Sequence, residues 1–261
     1  MKALHVWSGG RIAPLLARHF PGSKVYIRIQ SEDPFCIGED PIVRYAGPDL
    51  AGEIIKDAVN YDIIHLHAID WILPALREKY PDKPIVMHHH GQNLRENVLV
   101  CNERLKLADL VIYSTPDLAT LLPDDAVWLP NIIDEQLFKP AHWAGRGTMF
   151  PFEYERHSPF VKQVLEKFPQ AVIYNRMYRY VPYWRMPSLL SSFAELISWK
   201  PEVDYKSTAK MVLTLTDLEM LALGKAVYYW DRDFYITEFP EIHKTENVIP
   251  KLEELYARVL K

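Results

Sequence analysis

The run VMHHHGQN, residues 86–93, sets three histidines in a row after an apolar stretch and ahead of a glycine. A second pair, His65 and His67, sits in DIIHLHAID, with Asp70 three residues further on. Imidazoles placed this way suit metal ligation, proton transfer or hydrogen bonding to a polar substrate. In a strand, His88 and His90 share one side and His89 takes the other. No carboxylate or cysteine stands at ligand spacing beside them, so no metal is expected. The plainer alternative is a strand end with solvated histidines. Asp70 fits two roles, orienting an acceptor group with His67 or capping the helix after it. Ser8-Gly9-Gly10-Arg11 forms either a turn or a close backbone approach to a ligand.

These residues need elements to hold them. Apolar strand patterns occupy residues 2–6, 24–29, 63–66, 84–88, 110–113 and 126–129. Helical spacing appears between them: Ile12, Leu15, Leu16 and Phe20, then residues 49–59 and 71–80, then Leu94, Val98, Cys101 and Leu105. Strands alternating with helices over short links predict a parallel, doubly wound sheet. The segment PNIIDEQLFKPAHW, residues 130–143, breaks the rhythm and reads as a linker. Strands are expected again at 148–152, 171–174 and 226–230. Helices are expected on Phe160, Val164 and Phe168, on Leu189, Leu190, Phe193 and Leu196 behind Pro187, and on Met211, Leu215, Leu218 and Ala222. A final amphipathic helix is expected over residues 251–260. The histidines, the glycines and Asp70 all follow strands, where ligands bind in open α/β sheets.

Composition narrows the classes. The net charge is −4 and the pI about 6.2, without the basic footprint of a nucleic-acid binder. The two cysteines lack metal-type spacing, and the N-terminal apolar run is broken by Gly9, Gly10 and Arg11. No apolar stretch is long enough to span a bilayer, and the sparse cysteines point to a reducing, cytoplasmic location. SGGRIA lacks the G-x-G-x-x-G spacing of a dinucleotide turn, which argues against a nicotinamide oxidoreductase. Asp231-Arg232-Asp233 reads as a surface turn rather than a metal-binding Asp-x-Asp. RMYRYVPYWRMP, residues 176–187, interleaves arginines and aromatics. It fits a packed loop, and also base stacking or peripheral membrane contact.

Taken in order, SGGRIAPLLARHF, YDIIHLHAIDW, VMHHHG, ADLVIYST, VWLPNIIDEQLFKP and LEMLALGKAVYY resemble GT-B glycosyltransferases, in particular family 4, the retaining enzymes that use nucleotide sugars. The resemblance covers most of the chain and is strongest before residue 140. It implies two Rossmann-like, doubly wound parallel-sheet domains facing across a cleft. These would be an acceptor-side domain at 1–135, a compact donor-nucleotide domain at 136–240, and a C-terminal helix at 241–261 packing back toward the first. It implies transfer of a sugar to a glycan, lipid-linked or protein acceptor, with no metal and no cofactor beyond the nucleotide sugar. The implied catalytic residues are His90, Arg156 and Asp70. Gly9, Gly10, Gly91, Ser158 and Glu219 would bind the donor, and Arg11 and His67 would line the acceptor side. Two family positions depart: Met211 replaces the first of a glutamate pair, and the family lysine falls near Ser158. These departures support the alternative of a non-catalytic relative that binds a nucleotide, glycan or protein.

Overall fold

The computed structural model describes residues 1–7, 11–28, 40–91, 94, 98–140, 142, 144–152, 158–175, 181–198, 213–229 and 233–261. Its contacts divide the chain into two units. The first runs through Met1–Ile132 and takes back Ile242–Lys261; the second begins at Ile133 and ends at Glu241. No helix among the described residues is long and apolar enough to cross a membrane.

The first unit is built on a seven-stranded sheet of β1 (Ala3–Trp7), β2 (Lys24–Ile27), β3 (Val43–Tyr45), β4 (Ile63–His67), β5 (Ile85–His89), β6 (Leu110–Tyr113) and β7 (Val127–Trp128). The spatial order is β3-β2-β1-β4-β5-β6-β7, and every pairing is parallel. The chain winds outward from β1 to β3, then returns to the other side of β1 with β4. That reversal makes the switch point, where loops part and leave a crevice. The short β3 has no periodic signature in the sequence. The helices are α1 (Ile12–Ala17), α2 (Leu50–Asp57), α3 (Leu73–Lys79), α4 (Val98–Leu105) and a C-terminal helix, Thr245–Val259.

Alternation along the strands sorts the two faces. Leu4, Val6, Ile64, Leu66, Met87 and Val111 point to one side and form a continuous apolar core with Leu50 and Ile54 of α2, Leu73 and Leu76 of α3, and Cys101 and Leu105 of α4. His5, His65, His67 and His88 occupy the other side of the same strands. There Tyr256 of the C-terminal helix meets Phe20, with ring centroids 5.0 Å apart, and closes over His65. The helix begins at Thr245, ahead of the expected residue 251, and carries Pro250 inside it. A proline forfeits one helical hydrogen bond. Fully buried Val248, Leu252 and Tyr256 anchor the helix in spite of it.

The second unit has five strands, β8 (Thr148–Phe152), β9 (Val172–Asn175), β10 (Glu195–Ser198), β11 (Ala226–Tyr229) and β12 (Phe234–Ile236), in the order β12-β11-β10-β8-β9. Its helices are α5 (Ser158–Lys167), α6 (Met186–Ser191) and α7 (Leu215–Ala222). Two expectations are corrected. The sheet is mixed, because β12 returns antiparallel to β11. The helix expected through Leu196 stops at Ser191, and Leu196 lies in the central strand β10. A four-residue, mostly buried run satisfies helical spacing as readily as a strand. Ser192 ends the helix by donating its hydroxyl to the Leu189 carbonyl at 2.6 Å. Thr214 and Asp217 form a capping box that starts α7, four residues after Met211 is left outside the described residues. Asp233 pairs with Lys167 at 2.9 Å on an exposed turn, and Asp231 and Arg232 lie outside the described residues.

If the C-terminal helix is a structural part of the first unit, deleting one of its buried side chains weakens that unit. Leu252→Ala removes a side chain with no exposure and should cost about 2–5 kcal/mol. Urea unfolding followed by circular dichroism measures this; an unchanged midpoint would mean the helix is a loosely attached appendage.

Candidate functional site

Parallel register turns scattered histidines into one cluster. His5 on β1 is the register partner of His65 on β4, and His67 is the partner of His88 on β5. His90 follows two residues after His88 on the same side. Five imidazoles therefore share one patch of the sheet beside the switch point. His65 and His67 stack with centroids 4.2 Å apart, and His88 and His90 lie equally close but tilted by 38°. His5, His65 and His67 are 0% exposed and His88 is 1% exposed, while His90 at the strand end is half-buried.

Buried ring nitrogens need partners. Here they serve one another in a single file. The Tyr256 hydroxyl meets His65 Nδ1 at 2.6 Å, and His65 Nε2 meets His88 Nδ1 at 3.2 Å. His88 Nε2 and His90 Nδ1 both meet the Ser114 hydroxyl, at 2.8 and 2.9 Å. His90 Nε2 meets His67 Nδ1 at 2.9 Å, and His67 Nε2 meets His5 Nδ1 at 2.9 Å. His5 Nε2 ends the file without a partner among the described residues.

The file has a direction. A neutral imidazole has one N–H and one lone pair, so the links all donate the same way as long as the Ser114 hydroxyl accepts on one side and donates on the other. With Tyr256 donating, each histidine carries its proton on Nε2, and only the His5 N–H is left over. With the order reversed, both the Tyr256 hydroxyl proton and the His5 Nε2 lone pair go unsatisfied. Burial raises the Tyr256 phenol well above 10, so it keeps its proton to donate. The first order prevails. Burial also holds the imidazoles neutral. It lowers His5 and His90 to about 3 and pushes His65, His67 and His88 well below 6.5, with mutual repulsion between neighbouring imidazolium charges adding to burial for all but His5.

Two groups of these residues have metal-ligand proximity. His5, His65 and His67 form one and His67, His88 and His90 the other, each bringing one ring nitrogen per residue to within 4.8 Å of the rest.

His89 faces the opposite side, is 0% exposed, and finds no hydrogen-bond partner for either ring nitrogen among the described residues. Burial lowers it to about 4, opposed by the Asp70 carboxylate. Asp70 belongs to this far side too. Arg104 donates to it at 3.1 Å, and it helps hold the Cys101 thiol protonated, with burial the larger cause and the thiol pushed up to about 11. Nor does the Asp70 side chain cap α3, whose N-cap is Ile72. The capping role expected of Asp70 thus gives way to an ion pair between its buried carboxylate and the partly exposed Arg104.

The other expected residues are distributed as follows. Gly91 follows His90 at φ +129°, a conformation that favours glycine, and Ala68 follows His67 at φ +54°. A non-glycine residue held there marks a locally constrained turn next to the switch point. Arg11 is buried where α1 begins. Gly9, Gly10 and Arg156 lie outside the described residues. Ser158 opens α5, and Glu219 is 1% exposed within α7; both belong to the second unit. The structure thus gathers His67 and His90 and sets Asp70 apart from them. It adds His5, Ser114 and Tyr256, which the sequence reading missed, together with close roles for His65 and His88. The available signal was H-x-H recurring in two neighbouring strands.

No protein-family model matches the chain, and no curated protein matches its sequence.

Two outcomes follow from the neutral file. Tyr256→Phe strands His65 Nδ1 in the interior and should cost about 1–3 kcal/mol. Denaturant unfolding measures it, and a loss near zero would contradict the role of the hydroxyl. The second concerns pH, in protein stripped of divalent cations. His5, His65, His67, His88, His89 and His90 all titrate below 6.5 when folded and near 6.5 when unfolded, so unfolding takes up protons below that pH. Stability should be level above pH 7 and fall as pH drops through 6.5 toward 4, by about 1.4 kcal/mol per pH unit for each histidine that stays neutral. A denaturation midpoint that stays level down to pH 5 would show the cluster is not held neutral.

Proposed function

We propose that this protein is a GT-B glycosyltransferase, moving a sugar from a nucleotide sugar to an acceptor hydroxyl with retention of configuration and with no metal in the transfer step. The observation that carries the reading is the position of His90. A neutral imidazole, held by Ser114 and His67, sits at the carboxyl end of β5 ahead of Gly91 and beside the switch point. Open α/β sheets bind ligands there. By turning its Nε2–H from His67 to a sugar hydroxyl, a neutral ring there can bind the sugar without placing a cation against a developing oxocarbenium.

The reading requires the two units to face each other across a cleft. In it, Gly9, Gly10 and Gly91 let the backbone approach the donor, and Arg156 and Ser158 meet the departing phosphate. Glu219 meets the ribose, and Arg11 and His67 line the acceptor side. Asp70, engaged by Arg104, is given no proton to move. One observation favours a second reading, a binding protein without turnover. Glu219 is buried inside α7 rather than standing at its start, and its family partner is replaced by Met211.

A thermal-shift panel of UDP, GDP, ADP and dTDP, with and without EDTA, separates these readings from neither. A nucleotide at a hundred times its dissociation constant should add about 2.7 kcal/mol, indifferent to EDTA. His90→Ala should then abolish sugar transfer and leave that nucleotide shift in place. Binding with no transfer in the wild type would move the assignment to the binding protein, and no shift with any nucleotide would reject both.

A further inference from the structure

The histidine file carries a ligand chemistry that sugar transfer leaves unused. We propose that His67, His88 and His90 bind one transition-metal dication of the zinc, nickel, cobalt or copper class at the carboxyl end of β5. Their ring nitrogens already lie within 4.8 Å of one another. Tetrahedral ligands about 2.0–2.1 Å from zinc stand about 3.3 Å apart, so ring rotations of ordinary size close the site. Imidazole nitrogens with no carboxylate select these metals over magnesium and calcium. The sequence reading expects no metal because it finds no carboxylate or cysteine at ligand spacing. The fold supplies the extra donors as imidazoles from the next strand.

The supporting oxygen favours this trio. Ligating histidines usually donate their second N–H to an oxygen. Ser114 lies 2.8 Å from His88 Nε2 and 2.9 Å from His90 Nδ1, and its hydroxyl oxygen has two lone pairs to accept both protons. His88 already holds its proton on Nε2, and its Nδ1 lone pair turns from the His65 N–H to the metal. His90 needs only to move its proton from Nε2 to Nδ1, which frees Nε2 for the metal, and the Ser114 proton rotates away. His67 offers the Nδ1 lone pair that His90 had been using. All three rings stay neutral, so binding releases no proton.

The other trio is poorer. His5, His65 and His67 all have no exposure, so no ring of that trio opens a way in. A dication there would be a buried charge without a counter-ion. At His90 the half-buried ring gives a route in and leaves a coordination position for water.

The test uses the full chain, stripped of metal and without nucleotide, so it is independent of the glycosyltransferase reading. Cobalt(II) is titrated in while the visible d–d band is followed. One equivalent should saturate the band, zinc should displace it, and excess magnesium should not. His90→Gln, at the least buried position, should abolish it in a protein whose circular dichroism and melting show it folded. His5→Gln should keep it, and Ser114→Ala should weaken binding by about 10–100-fold. A folded wild type that gives no band, or a band that survives His90→Gln, overturns the site.

Discussion

The first unit depends on how polar rings can be buried without charge. A parallel sheet covered on both faces offers its strands no water. Five imidazoles on one face of β1, β4 and β5 would ordinarily be costly there. They are accommodated because each ring nitrogen but the last meets another ring, a serine or a tyrosine. Neutrality is the condition of that arrangement. One added proton would place a charge in a region that solvates charge poorly, and would set two N–H groups against each other unless Ser114 accepted from both sides.

That condition ties distant elements together. Tyr256 reaches His65 across 191 residues of sequence, so the C-terminal helix does more than cover apolar surface. It supplies the donor that orders the whole file. Ser114 does the same between His88 and His90, from the turn after β6. The far face of the sheet is organised differently, by an aliphatic core with one ion pair, Asp70 with Arg104, beside His89. The half-buried His90 is where the ordered interior meets the switch-point loops, and both functional proposals therefore converge on it.

Much of this was legible in the sequence. Alternating apolar strands and helical stripes gave the α/β class, and the phase of β4 and β5 put His88 and His90 on one side. Three things were not. The file needs register between strands, which single-strand periodicity does not contain; His5 is an unremarked residue until β1 pairs with β4. Ser114 and Tyr256 carry no pattern at all. The central strand β10 was hidden because Leu196 continued a helical spacing from Leu189 and Leu190, and only the Ser192 turn separates the two elements. Asp70 was misread for a related reason: its position before a helix suggested a cap, whereas Arg104 on α4 was the stronger partner.

The most direct measurement of the central claim is the protonation of each ring nitrogen. Histidine 15N–1H correlation spectra of the metal-stripped protein at pH 7 distinguish Nε2–H, Nδ1–H and doubly protonated imidazoles, residue by residue. His5, His65, His67, His88 and His90 should all be neutral with the proton on Nε2. A doubly protonated ring among the five, or a majority carrying the proton on Nδ1, would contradict the one-way file and the neutrality on which the site rests.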